Sequence, residues 1–354
     1  MRVCSWSFLA IALFFSSCEA KKMEAIRVPE AGTFFNTLEE YHLFEVNSQG
    51  LRPSEALVGY DVINALFTDY AMKDRFVYLP EGQKAHLSED GTFVFPEGSM
   101  LVKNFYYDEK QTKDAGILET RLLIRDQKEW KAISYVWNQE KTSAKISKVG
   151  AIIPHSLFGE NGKEKKFDYV VPNKNQCKSC HNFDDKIDPL GFKYANLNKD
   201  ILINGTKVNQ ISYLAERGLV ELSGVAVDSL VTMKSYADES NPIDARAMAY
   251  LDVNCGHCHR PNGPGNTSGL FLQHNEIRSN HLGFCKGPVA AGKGSGGRKF
   301  DISPGSADSS ILVYRISSLD PGVMMPEVGR SLVHEEGVQL VKDWINSLQF
   351  DCYE

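Results

Sequence analysis

The chain has 354 residues, of which 42% are apolar and 24% are charged, and it contains eight cysteines. This is an ordinary globular composition, and the length is sufficient for two or three domains. The formal net charge of −6, together with the lack of a Lys- or Arg-rich block, argues against a nucleic-acid-binding protein.

Residues 1–17 are typical of a secretion signal. Arg2 is followed by an apolar run from Phe8 to Phe15, which is too short to span a bilayer, and then by small residues before Cys18. This stretch resembles a bacterial lipobox except at Phe15, where such boxes usually carry Leu. We therefore expect an exported, periplasmic protein that is anchored to a membrane by a lipid on Cys18. The alternative is a plain signal peptide cut nearby, in which Cys18 has no role.

Residues 32–172 are predicted to form a β-rich domain. Strands are expected where aromatic and β-branched residues concentrate between turn signals, namely over residues 93–95, 100–106, 120–124 and 133–137. Asp126-Gln127-Lys128 is the expected hairpin between the last two strands. Several short strands of this kind favour a sandwich-like arrangement. Core packing is the expected use of the aromatic residues, with a ligand surface as the alternative.

After residue 172 the pattern changes to helices joined by loops rich in Gly, Asn and Pro. Helices are predicted over residues 209–217 and 245–254, where capping residues precede an apolar repeat. A third is predicted near the C-terminus, where one stripe contains Val338, Val341, Trp344, Ile345 and Leu348. The expected fold is therefore multidomain, with a mainly α part after the β-rich N-terminal domain.

Two strings in this second part fit the attachment pattern for c-type haem. They are Cys177-Lys178-Ser179-Cys180-His181 and Cys255-Gly256-His257-Cys258-His259. One helical turn places two thiols beside the two vinyl groups of a porphyrin, and the following His then lies beneath the ring as the proximal iron ligand. The strings predict two covalently bound haem c groups, one in a first haem-binding region (173–235) and one in a cytochrome c-like domain (236–354).

Zinc is the competing interpretation of paired cysteines. Zinc ribbons separate their two Cys pairs by about 15–20 residues, whereas Cys180 and Cys255 are several times further apart. Each pair is also followed directly by His, which a thiol–disulfide site does not require. Haem is the interpretation that accounts for both features.

The sixth iron ligand is less clearly marked. Met325 follows the second string, precedes the terminal helix and is itself followed by Pro, which keeps the chain extended. It is the expected axial ligand of the second haem, with Met324 as the alternative and core packing of both as a third interpretation. No comparable Met-Pro loop follows the first string. Its candidates are Met233, Met248, His155 and His257, and none is preferred.

Two cysteines remain once the signal and the haem strings are set aside. These are Cys285 and Cys352. In an oxidising compartment an even remainder favours a disulfide over two free thiols.

The sequence resembles a family of exported dihaem c-type cytochromes with a cytochrome c-like C-terminal domain. The likeness covers nearly the whole mature chain. Its elements are Glu119-Thr120-Arg121-Leu122-Leu123, Tyr135-Val136-Trp137-Asn138, Asn175-Gln176-Cys177, Pro189-Leu190-Gly191 through to Asn196-Leu197-Asn198, Asn209-Gln210, Ala249-Tyr250-Leu251-Asp252-Val253-Asn254-Cys255, Cys285-Lys286-Gly287-Pro288, Pro304-Gly305-Ser306, Met325-Pro326 and Asp343-Trp344-Ile345.

This resemblance implies electron transfer in the periplasm or at a membrane, with a sugar-dehydrogenase-type enzyme as the donor and a separate electron acceptor. Some members carry Met immediately before the Pro-x-Gly string, where this chain has Asp188, so no Met ligand for the first haem is implied. Two rival functions remain. One is a peroxidase-like enzyme with an open first haem, and the other is a binding module whose β-rich domain recognises a carbohydrate or a protein.

Overall fold

The structure is a computed structural model that describes residues 23–47, 50–159, 162–229 and 231–352. The predicted signal over residues 1–17 and the predicted lipidation at Cys18 lie outside these ranges. Within the described residues, no helix has both the length and the apolar character that a membrane crossing requires.

The N-terminal part is built from strands. They are β1 (Phe44–Asn47), β2 (Gly50–Pro53), β3 (Val58–Tyr60), β4 (Met72–Tyr78), β5 (Ala85–Leu87), β6 (Phe93–Val94), β7 (Met100–Tyr107), β8 (Gly116–Asp126), β9 (Glu129–Trp137), β10 (Ala144–Ser147), β11 (Ala151–Phe158) and β12 (Glu164–Val171). Six of them form one antiparallel sheet in the order β10-β9-β8-β7-β4-β3.

The predicted strands over residues 100–106, 120–124 and 133–137 fall within β7, β8 and β9, at the centre of this sheet. The turn between β8 and β9 lies at the predicted hairpin. Both of its central residues, Gln127 and Lys128, have positive φ angles of 53° and 63°. A turn of this hand matches the right-handed twist of the flanking strands, which is why a two-residue connection suffices here.

The C-terminal part combines short helices and short strands. The helices are α1 (Lys174–His181), α2 (Tyr194–Leu197), α3 (Gln210–Glu216), α4 (Ile243–Leu251), α5 (Ser279–Leu282), α6 (Ile311–Ile316) and α7 (Glu335–Ser347). The strands are β13 (Asn182–Phe183), β14 (Lys186–Ile187), β15 (Asp200–Ile203), β16 (Thr206–Asn209) and β17 (Val220–Glu221).

The expectation that this part is mainly α, as in cytochrome c-like haem domains, is wrong. Over the residues that the structure describes, 28% lie in strands and 21% in helices, and the α-helices number seven. The predicted helices exist, but they are short: the segment predicted over residues 245–254 leaves α-helical geometry after Leu251 and continues as a π-helical turn, Asp252–Gly256. Gly-, Pro- and Asn-rich loops fill the long intervals between helices, because these residues favour turns over helix propagation.

The first of two large cores joins the region around the first string to the sheet. Side chains of α2 and α3, including Leu197 and Ile211, pack in one buried cluster with Val77, Leu101 and Trp130 of the sheet. In addition, β17 pairs in parallel with β5. The residues that follow the first Cys-x-x-Cys-His string are therefore fixed directly to the β-rich part.

The second core surrounds the α4–α7 crossing. The predicted apolar stripe of the terminal helix is buried here, and the indole of Trp344 donates a hydrogen bond of 2.8 Å to Asp244. A Cβ atom at Gly337 would overlap the ring of Tyr250 on α4. Glycine at position 337 therefore lets α4 and α7 approach closely. The second string follows directly after α4 in the chain.

The structure joins Cys285 to Cys352, with an S–S distance of 2.07 Å and 67 residues of sequence separation. The bond ties the loop after α5 to the segment after α7. In the chain-entropy model, closing a loop of this length stabilises the fold by about 4 kcal/mol, because it restricts the unfolded chain.

We expect Cys285→Ser/Cys352→Ser to lower the free energy of unfolding by up to about 4 kcal/mol, measured by urea denaturation of the haem-loaded protein. Each single Ser variant is the control, since it breaks the same bond and exposes one thiol to alkylation. Alkylation of both thiols in unreduced native protein would contradict the pairing.

Candidate functional site

The first string lies on α1. The helix begins with a capping box, in which Asn173 and Gln176 each bond the other's backbone N–H at 3.0 Å. At the end of the helix, His181 Nδ1 lies 2.8 Å from the carbonyl oxygen of Asp188. A carbonyl only accepts, so Nδ1 carries the proton and Nε2 keeps its lone pair. Burial lowers the pKa of His181 to about 4, and its imidazole is therefore a neutral ligand at pH 7.

The two thiols of the first string occupy different surroundings. Cys177 is buried, and Cys180 lines a cleft. Burial raises the pKa of Cys177 to about 11 and raises that of Cys180 as well. Both are protonated thiols at neutral pH. Neither thiol therefore has the low pKa of a reactive or metal-binding thiolate.

The second string follows α4 through the π-helical turn. At its second position, a Cβ atom on Gly256 would lie 3.0 Å from the carbonyl oxygen of Leu272, so the turn packs tightly against the next segment. Burial raises the pKa values of Cys255 and Cys258 to about 12. These thiols are also protonated at neutral pH.

The proximal histidine of the second string is oriented by a hydroxyl group. His259 Nδ1 lies 3.1 Å from Ser268 Oγ, and that hydroxyl donates its own proton to the carbonyl of Gly265 at 2.6 Å. Ser268 can therefore only accept from the ring, so Nδ1 is protonated and Nε2 keeps its lone pair. Burial lowers the pKa of His259 to about 4. The two histidines thus reach the same state through different partners.

Each histidine borders a cleft. The first cleft, with its open mouth, encloses about 1610 Å³ and is lined by Cys180, His181, α2-adjacent loops and one face of the sheet. The second encloses about 1430 Å³ and is lined by Cys258, His259 and the Met-Pro loop. The residues that line both clefts are Cys180, Asn254, Cys255, His257, Ile316, Met325, Pro326 and Val328. The two clefts therefore adjoin.

The segments that follow the two strings are also bonded to each other. Arg260 forms an ion pair of 3.1 Å with Asp188, and its guanidinium lies 4.2 Å from the ring centre of Phe183. The N–H of Asp184 donates to the carbonyl of Asn262 at 3.1 Å. Asp188 therefore orients His181 through its carbonyl and binds Arg260, which follows the second string, through its carboxylate.

The loop that contains Met325 and Pro326, here called the Met-Pro loop, is held in place from both sides. Met325 lines both clefts, whereas Met324 is buried and is not found among the described residues that line them. The guanidinium of Arg330 donates to the carbonyl of Met325 at 2.9 Å. Just beyond, the carboxylate of Asp69 accepts from the N–H groups of Ser331 and Leu332, both at 2.7 Å. The β-rich part thus fixes this loop.

The other candidates for the first haem lie in different places. His257 lines both clefts, and its Nδ1 has no hydrogen-bond partner among the described residues. His155 packs against Tyr107, with ring centres 4.5 Å apart, and Met248 belongs to the second core. Met233 is buried. Neither His155 nor either of these methionines is among the described residues that line the clefts.

The structure adds residues that the sequence interpretation missed. His334 lines the first cleft, is stacked on Phe67 and has an unpartnered Nδ1 in the described part of the chain. Arg75, Lys103 and Arg121 line the same cleft from the sheet. Their convergence depends on strand register, which no local sequence pattern records.

Among the described residues, no group of three or more His, Cys, Asp and Glu side chains is arranged to hold a metal ion. Comparison with known proteins finds no matching family model, no matching curated protein and no matching solved structure.

Proposed function

We propose that this protein is an exported dihaem c-type cytochrome that transfers electrons between periplasmic redox partners. One observation carries the proposal. Both Cys-x-x-Cys-His strings end in a neutral histidine whose Nδ1–H is held by an oxygen atom, so that Nε2 bears the free lone pair beside a cleft. This is the state that an axial imidazole ligand requires.

The residues present fit two covalently bound haem groups. Cys177 and Cys180 would hold the first haem and Cys255 and Cys258 the second, each pair through thioether bonds. Protonated thiols are poor ligands for a metal cation, which agrees with attachment through thioether bonds rather than with thiolate coordination. His181 and His259 would be the proximal ligands, and Met325 the distal ligand of the second iron. When bound, each haem iron accepts and releases one electron.

The shared walls of the two clefts support transfer within the chain. Cys180 of the first string and Cys255 of the second both line the two clefts, and the Arg260–Asp188 ion pair fixes the flanking segments. Haem groups held by the two strings would share these protein walls, which suits the exchange of electrons between them. This arrangement favours a carrier with an entry and an exit haem over two independent sites.

The partners rest on the family resemblance. We propose a sugar-dehydrogenase-type donor, a separate acceptor, and a membrane location through a lipid on Cys18. The rival peroxidase-like enzyme differs in the first haem, since an open coordination position gives a high-spin ferric spectrum. An optical spectrum of the ferric, two-haem protein distinguishes these functions.

We expect the intact mass of the mature protein to exceed that of the polypeptide by two haems, and haem staining to survive denaturation, because thioether bonds are covalent. In the matched control, Cys177→Ser/Cys180→Ser should retain one haem. A wild-type mass that shows one haem, or zinc in place of haem, would contradict the proposal.

A further inference from the structure

A row of three cations crosses the sheet beneath the first cleft. Arg75 on β4 is directly opposite Lys103 on β7, and Lys103 is directly opposite Arg121 on β8. Residues opposite each other in antiparallel strands share a face, and adjacent strands are about 4.8 Å apart. All three side chains line the first cleft.

The carboxylates near this row do not balance it. Arg121 is paired with the fully buried Glu119 through bonds of 2.7 and 2.8 Å. Arg75 lies 3.7 Å from Asp61, a carboxylate that is 57% exposed. For Lys103, no ion pair with a carboxylate is found among the described residues; its ammonium lies 5.0 Å from the ring centre of Phe105. Burial and the neighbouring cations lower the pKa of Lys103 well below its usual value.

Such a row is costly in the absence of a counter-ion. Like charges directly opposite each other destabilise a sheet, and a partly buried ammonium such as that of Lys103 loses part of its hydration without gaining a counter-charge. Nearby, burial and the charges of Arg75 and Arg121 lower the pKa of Lys73, on the same strand as Arg75, to about 7. A group that supplies carboxylates to this face would remove the cost.

We infer that the row Arg75, Lys103 and Arg121 binds the propionate carboxylates of the first haem. This rests on the proposed function. The propionates are the only ionised groups on a haem periphery, and neither the two cysteines nor the histidine of the string binds them. The β-rich domain then forms part of the first haem site, and its row fixes the ring and compensates its charge.

The test compares one substitution in two backgrounds of the full-length chain. In Cys177→Ser/Cys180→Ser, which lacks the first haem, Lys103→Met should raise Tm by about 2–5 °C, because it removes an amine whose charged form is disfavoured by partial burial and by the neighbouring cations. In the two-haem protein the same substitution should lower Tm, because it leaves a carboxylate unpaired. It should also lower the midpoint potential of the first haem, by an amount that corresponds to about a tenfold change in the ferric-to-ferrous equilibrium. The midpoint potential of the second haem should not change.

Lys145→Met is the matched control. Lys145 is an exposed residue on β10 of the same sheet and is not among the described residues that line either cleft, so neither background should respond. An equal change of Tm for Lys103→Met in both backgrounds overturns the propionate assignment. A wild-type mass without the first haem overturns the proposed function as well, and the mass measurement separates these two failures.

Discussion

Met325→Ala will abolish the sulfur-to-iron absorption band at the red end of the ferric spectrum and lower the midpoint potential of the second haem by roughly 0.1–0.3 V. This expected shift is a fraction of the ~0.8 V range over which axial ligands set the reduction potential of a haem. A thioether ligand favours ferrous iron relative to imidazole or water, so its loss favours the ferric state. The effect should be confined to one haem.

The loop geometry explains why the expected effect is large. The carbonyl of Met325 accepts from Arg330, and its N–H donates to the carbonyl of Arg315 at 3.0 Å. The backbone of this residue is therefore fixed at the junction of the two clefts, so that an iron held there would find its side chain already in place. Removing the side chain leaves that position without a replacement on the same loop.

Met324→Ala is the matched control. It deletes a side chain of the same size from the neighbouring position, which is buried outside the clefts, and it should reduce stability while leaving the band intact. If Met324→Ala removes the band and Met325→Ala leaves it, the axial assignment is off by one residue. Because Met325 borders both clefts, repeating the experiment in Cys177→Ser/Cys180→Ser shows which haem carries the band.

The features predictable from sequence were those recorded locally along the chain. The central strands β7, β8 and β9 were predictable because aromatic and β-branched residues dominate them between clear turn signals, and the turn at Gln127 and Lys128 was marked by its polar residues. The buried stripe of α7 was predictable from its 3.6-residue period. The two haem strings are local as well, because one turn of chain contains the whole pattern.

The proportion of helix could not be predicted in the same way. The apolar repeat over residues 245–254 continues through Asn254, yet α-helical geometry ends at Leu251 and a π-helical turn follows. In that turn the side chain of Asn254 accepts a hydrogen bond of 2.8 Å from the N–H of Phe67, a residue that is 187 positions away in the sequence. A long-range hydrogen bond of this kind competes with helix propagation and leaves no trace in a local pattern.

In the candidate site, too, some features can be predicted from local sequence, and others depend on the tertiary structure. His181 and His259 were predictable, but the groups that set their tautomers, the carbonyl of Asp188 and the hydroxyl of Ser268, were not. They lie seven and nine residues downstream, and loop geometry alone brings them to the rings. The cationic row is even harder to predict from local sequence, because Arg75, Lys103 and Arg121 meet only when three strands pair in one register.

The two haems should be unequal, with the second at the higher midpoint potential. Met325 lines both clefts and is the expected axial ligand of the second haem, which leaves the first haem the imidazoles of His257 and His334 or no ligand. Imidazole lacks the thioether's preference for ferrous iron, so the first haem should be harder to reduce. A gap on the order of 0.1 V is expected, and each 59 mV corresponds to a tenfold preference for the electron to occupy the second haem.

Charge near the first haem opposes this order, because buried cations favour the reduced state. Their effect is limited, since Glu119 already pairs with Arg121 and two propionates would offset Lys103 and Arg75. The second cleft is lined by Arg315 and by the carboxylates of Glu327 and Asp301, of which Asp301 is paired with Lys286 at 2.9 Å. The first cleft is therefore the more cationic of the two, and we expect the difference in axial ligand to outweigh this difference in charge.

A redox titration with spectra resolved for each haem measures the order directly. Cys177→Ser/Cys180→Ser supplies the reference spectrum of the second haem alone. If the second haem is reduced first, electrons that enter at the first haem run downhill across the shared wall formed by Cys180 and Cys255, and the second haem faces the acceptor. A single unresolved midpoint, or a first haem that is reduced before the second, would reverse or remove this direction of flow.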